Sequence, residues 1–230
     1  MQDKLRPVKL TPWLWALPLL TLSGGCDTTM KRARSGASVT IEAPPISTAW
    51  KAVATAGDQD RIDRLGLAWQ QALMEARPKY GKDIAAEGDL LKPRSALARP
   101  QPTPGSYNCR MISIGRADRG ATAFEKFKPF FCYVLVDGGG VLTIVKQTGS
   151  QRPAGRLWDD DDPKRMIFLG SLALGDEEEP LAYGENPNRD MAGVFERIAP
   201  FRWRLVIPWP RSGAKVEVFE LTPVADQPEG

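Results

Sequence analysis

The chain has no histidine, and this limits its chemistry. The usual general base and the commonest metal ligand are missing, so Ser-His-Asp and Cys-His catalysis cannot be built within it. A zinc site made only from scattered carboxylates is not expected, and no cofactor motif is present. Two histidine-independent arrangements remain. Lys146 and Ser150 could form a Ser-Lys pair. On one strand that spacing separates them by about 13 Å, so the turn after Gln147 would have to fold back. Glu87 with Asp190 is the carboxylate pair that a hydrolase could use.

The stretch Lys146 to Pro153 reads better as a polar binding loop. Lys146, Ser150 and Gln151 supply polar contacts, and Gly149 permits close backbone approach. Arg152 offers a planar fork for a carboxylate or phosphate. Arg189 and Asp190 form a second polar cluster before a strand. Two readings stay open: these six residues bind a ligand, or Arg152 and Asp190 pair internally and pin loops to the rim of a barrel. The run Asp159 to Asp162 lacks the spaced acidic residues and glycine of a calcium loop. It reads as a solvated hairpin tip, as does Asp176 to Glu179.

The elements that must carry these residues change character along the chain. Ile62, Leu65, Trp69, Leu73 and Ala76 recur at helical spacing, with charged and amide residues between them. Thr55 and Asp58 look like a capping box, and Pro78 is expected to end the helix. A second short helix is expected from Ile84 to Leu91, stopping before Pro93. Trp50 and Trp69 read as core packing. After the stiff connector Arg99 to Gly105 the pattern becomes strands and tight turns. Strands are expected at 107–114, 130–136, 141–147, 153–158, 165–172, 192–198, 202–207 and 215–221. No helical period lies between them, which excludes parallel crossovers. The expected fold is α+β, mainly β. A helical part (47–97) packs on an up-and-down antiparallel β meander (106–222), closed as a barrel or strongly curled.

The first 26 residues read as an export signal. Lys4, Arg6 and Lys9 precede an uncharged, Leu- and Trp-rich run that ends in Ser23-Gly24-Gly25-Cys26. The order is of the lipoprotein kind, in which Cys26 is acylated. Such an anchor would hold the protein on a membrane facing the periplasm, with a soluble periplasmic or secreted form as the alternative. Residues 27–46 form a polar, Pro-containing linker, and 47–230 one domain. The remaining cysteines, Cys109 and Cys132, read as a disulfide in an oxidising compartment. The net charge of +3 falls nearly to zero once the signal is removed, which argues against nucleic acid as a partner.

Several motifs together resemble a bacterial family of small exported proteins with one domain of unknown function. They include Trp50 with Asp58 and Arg61, Ala86-Glu87-Gly88 and Tyr107-Asn108-Cys109-Arg110. Further on come Ser150-Gln151-Arg152-Pro153, Arg189-Asp190-Met191-Ala192-Gly193 and Arg202-Trp203-Arg204-Leu205. The resemblance implies no reaction, ligand or catalytic residue. Gly105-Ser106-Tyr107 also echoes the Gly-x-Trp start of lipocalins, an analogy of fold alone. The expected function is a tethered, non-catalytic module in the cell envelope that binds a small amphiphilic ligand or a protein partner. The alternatives are an inhibitor-type interaction protein and a histidine-independent hydrolase.

Overall fold

The computed structural model describes residues 48–147, 151–175, 177 and 180–225. Helices α1 (Ala49–Val53), α2 (Ala56–Asp63) and α3 (Leu65–Ala86) lead into a 3₁₀ turn, Gly88–Leu91. Nine strands follow: β1 (Gly105–Ile114), β2 (Phe124–Lys126), β3 (Phe130–Val136), β4 (Leu142–Lys146), β5 (Gln151–Asp159), β6 (Arg165–Leu174), β7 (Asp190–Ala199), β8 (Arg202–Pro208) and β9 (Val216–Pro223). Every pairing is antiparallel, and β9 returns to β1. Eight strands therefore close a barrel and leave no long free edge. β1 takes β3 beside its first half and β2 beside its last, while β9 runs along its other edge.

Alternation along the strands sorts side chains into two layers. Tyr107, Cys109, Cys132, Val134, Ile144, Leu157, Phe168, Phe195, Trp203, Leu205 and Phe219 fill the barrel. The opposite faces of β6 to β9 and of the end of β1 are also apolar, because helices cover them. Trp50, Ala54 and Ile62 pack on Ile167, Leu169, Ala192 and Val194. Trp69, Ala72, Leu73 and Ala76 pack on Ile112, Val206, Val216 and Val218. Strands buried on both faces read as continuous apolar runs, as β6 and β8 do. Gly155 and Gly170 face each other across β5 and β6. A Cβ at either would lie 2.7 Å from the Phe168 ring, so only glycine leaves room for that ring.

Strand limits fall within two residues of expectation, but the helices differ. Thr55 caps α2 by accepting the Asp58 amide. The expected single helix breaks at Arg64 (φ −93°, ψ 16°), because α2 packs on β7 whereas α3 packs on β1, β8 and β9. Pro78 lies inside α3, and the non-helical Tyr80 (φ −114°, ψ 20°) two residues on divides α3 into two helical parts, the second running to Ala86. Tyr80 is held there by Phe124, with ring centres 5.6 Å apart, and by the Thr122 hydroxyl at 3.0 Å. The expected second helix is the last turn of α3, then Glu87, then the 3₁₀ turn, which opens on Gly88 at φ +58°. Among the described residues no helix is long and apolar enough to cross a membrane.

Candidate functional site

One end of the barrel is open. There the end of β4 and the start of β5 meet described residues of the β6–β7 and β8–β9 connections. A cavity of about 310 Å³ lies between them. The strand register shows how the sequence builds its wall. Val145 is opposite Ala154, so Lys146 neighbours Pro153, and Pro153 is opposite Leu172. Gly170 is opposite Met191, Ile207 opposite Glu217, and Phe219 opposite Met111. Lys146, Pro153, Leu172, Met191, Ile207, Glu217, Phe219 and Met111 thus line the cavity from seven strands. Below it the barrel is solid. The next void, between Lys146, Phe168, Leu205 and the disulfide, is about 20 Å³, room for one water at most. At the far end Tyr107 and Trp203 meet edge to face with ring centres 5.9 Å apart.

Six charged side chains line the cavity: Arg61, Lys146, Arg189, Asp190, Arg211 and Glu217. Four are held by the protein. Arg61 pairs with Asp58 and donates to the Trp209 carbonyl at 3.2 Å. Arg189 pairs with Glu177 at 2.6 Å, and Arg211 donates to the Pro187 carbonyl. The Asp190 carboxylate accepts the Gly184 amide at 3.0 Å. Lys146 and Glu217 differ. Among the described residues Lys146 meets no carboxylate, and its ammonium lies over the Phe130 ring, 4.4 Å from the centre. Glu217 is 9% exposed and has the Ser212 hydroxyl as its hydrogen-bond partner.

Their environments shift both groups toward neutrality. Burial, and secondarily the charge of Arg152, lowers the Lys146 pKa from the ordinary lysine value. Burial raises the Glu217 carboxyl above the ordinary glutamate value, against the opposing Ser212 hydrogen bond. Arg61 is lowered by burial and by Arg211.

The connections around the mouth are clamped to the helical layer. Asp58 is buried; its carboxylate receives the Tyr183 hydroxyl, the Thr55 hydroxyl at 2.9 Å and the Arg61 guanidinium. One side chain thus ties α2 to the β6–β7 connection and, through Arg61, to Trp209 in the β8–β9 connection. Trp209 in turn donates to Gln71 on α3 at 3.0 Å.

Of the residues singled out from sequence, Lys146, Gln151, Arg189 and Asp190 come together at the cavity. Arg152 does not pair with Asp190, one of the two readings left open; it donates to the Gly175 and Glu177 carbonyls and so braces the β6–β7 connection. Its fork meets backbone because the chain after β6 folds over it, a tertiary placement without local signal. Ser150 and Cys26 lie outside the described residues. Glu87 does not line the cavity with Asp190. It is buried outside the barrel between Arg110 (2.6 Å) and Lys126 (2.7 Å), which hold its pKa down although burial pushes it up. Asp160 is also no solvated tip. It is buried, accepts Trp50 Nε1 at 2.9 Å and pairs with Arg165 at 2.6 Å, so it anchors α1. Asp176, Glu178 and Glu179 are outside the described residues, while Glu177 pairs with Arg189. Cys109 and Cys132 form a disulfide between β1 and β3 inside the barrel, with Cα atoms 6.1 Å apart.

The family described as "Domain of unknown function (DUF4893)" matches residues 50–221, most of the chain and nearly all of the described structure. The chain belongs to this family. No curated protein and no solved structure matches it. The DUF4893 match begins at Trp50, which anchors α1, and ends at Leu221 in β9, so it spans both the helical cover and the closed barrel. Among the residues that sequence reasoning missed at the cavity are Glu217, Arg211, Met111, Met191, Ile207 and Phe219. Phe219 and Met111 carry no signal of their own, since apolar residues stand on both faces of β9 and at the end of β1.

Proposed function

We propose that this DUF4893 protein is a non-catalytic binding module that takes a small amphiphilic ligand into the open mouth of its barrel. The observation that carries this reading is the cavity of about 310 Å³, closed below by a filled barrel. Its volume lies within the range of about 300–1,000 Å³ usual for small-molecule sites, and apolar walls with a few converging polar groups are the common form of such sites. Met111, Met191, Ile207 and Phe219 supply the apolar wall, and the methionines can adapt to an irregular ligand. Export and an anchor on Cys26 belong to the same proposal. They are supported by the order of the N-terminal residues and by a disulfide that suits an oxidising compartment.

Native mass spectrometry of the full chain, purified from the compartment where it accumulates, tests the ligand reading. A co-purifying small molecule, lost in Met191→Trp, is the expected result. Its absence together with no uptake of an added amphiphile contradicts the proposal. Labelled fatty acid tests the anchor: it enters the wild type and not Cys26→Ala, and equal labelling of both contradicts acylation there. A second reading, a protein partner in the envelope, is favoured by one observation: β3 presents Phe131 (53% exposed) and Leu135 on the barrel's outer surface.

A further inference from the structure

Lys146 stands out among the charged groups at the mouth. Arg61, Arg189, Arg211 and Asp190 are each taken up by a carboxylate, a carbonyl or an amide of the protein itself. Arg61 and Arg189 are neutralised by carboxylates, whereas among the described residues Arg211 has one carbonyl and Asp190 one amide. Lys146 is half-buried on the wall, beside the Phe130 ring and close enough to feel the charge of Arg152. Among the described residues it has no counter-charge. Half-buried cations without a carboxylate lose hydration that nothing in the protein returns. The other group left over is Glu217, across the mouth on β9, and burial favours its neutral form. Lys146, Arg61, Arg189 and Arg211 stand against two lining carboxylates, Asp190 and Glu217, so cations predominate on the cavity wall.

We infer that the ligand is an anionic amphiphile whose carboxylate or phosphate head pairs with Lys146 while its apolar chain lies against Met111, Met191, Ile207 and Phe219. This rests on the binding reading above and narrows it to one class of ligand. Three features support the assignment. The cation sits inside the cavity wall, so a head group that reaches it is partly withdrawn from water, where a charge-assisted hydrogen bond is strongest. Apolar and charged lining residues share one cavity, so chain and head are bound together. Arg152 adds positive potential behind Lys146 while its own guanidinium bonds to the Gly175 and Glu177 carbonyls. A cationic amphiphile would meet the ammonium of Lys146 as a like charge at that wall.

The test is calorimetric titration of the full chain with four probes that share one alkyl chain: decanoate, decyl phosphate, decanol and decylammonium. The expected result is that decanoate or decyl phosphate binds at least about tenfold more tightly than decylammonium, with decanol between them. The better of the two anions identifies the head group. Lys146→Gln abolishes the preference for anion over alcohol, whereas Lys146→Arg keeps it. Binding of all four probes with equal affinity overturns this inference and leaves the binding reading standing. An anion preference that survives in Lys146→Gln likewise overturns the role of Lys146. Failure of every probe to bind overturns both. A variant that does not fold, judged by its melting curve, is replaced by the pairwise comparison of wild type with Lys146→Arg and Lys146→Met.

Discussion

The barrel has a clad half and a bare half. Strands β6 to β9, with the end of β1, lie between the filled interior and the helices, so both of their faces are buried. Strands β3 and β4 are packed on the inside only, and Phe131, Leu135 and Val136 meet solvent, while β5 at the border also touches α1 through Trp158. The clad half carries the buried ionic clamps. Arg204 is fully buried; it pairs with Glu196 at 2.6 Å, donates to the Leu90 and Lys92 carbonyls at 2.9 and 2.8 Å, and stacks on Trp69. In the bare half the comparable pair, Arg156 with Asp137 at 3.0 Å, is on the surface. The clad half thus fixes the frame. The cavity opens where the halves meet, with Lys146 supplied by the bare side and Glu217 by the clad side.

The largest effect separates the halves directly. Arg204→Met leaves Glu196 buried without its cation and strands the carbonyls of the 3₁₀ turn. Breaking such a pair costs about 3–5 kcal/mol. Urea unfolding should show that loss, while Arg156→Ala leaves the midpoint almost where it was. Equal shifts would erase the distinction between the halves.

A smaller effect comes from the seam. The Cys109–Cys132 bridge joins β1 to β3 and closes a sequence separation of 23. Its removal in a Cys109→Ser, Cys132→Ser double variant should cost about 3 kcal/mol. Thiol counting of the denatured wild type should find neither cysteine free, and two titratable thiols would contradict the bridge.

The smallest effect concerns the mouth and has a sign that depends on pH. The folded-state pKa of Glu217 is raised above the ordinary value of 4.5. Its protonated form is therefore the one the fold prefers. That contribution is complete below the ordinary value and is lost as pH rises through the raised one. Glu217→Gln should match wild type in acid and melt higher than wild type at neutral and alkaline pH. Parallel melting curves across pH would show that Glu217 is not desolvated as described.

Much of this architecture was legible from residue patterns, for reasons tied to particular elements. The strands announce themselves by apolar runs between turn residues such as Asp137 to Gly140, where Asp137 accepts the Gly139 and Val141 amides. The three-residue β2 was not visible, since so short a segment carries no period. Helix resumes soon after Pro78 because a kink within a helix held on both sides by the barrel is tolerated, a tertiary effect that local propensity does not contain. At the mouth, the polar residues flanking β4 to β7 were found because they stand at strand ends. Glu217 was not, because β9 is apolar on both faces and its alternation does not say which way a carboxylate points. The partners of Asp160 and Arg152 were not visible for a shared reason: Trp50 and the Gly175 and Glu177 carbonyls are distant in sequence.

The central claim is that the open mouth is a ligand site, and filling it is the most direct test. Decanoate titrated into wild type and into Met191→Trp should show saturable one-to-one binding in the first and none in the second, with melting temperatures that agree closely. Decanoate binding that is the same in both proteins, or absent from wild type, would contradict it.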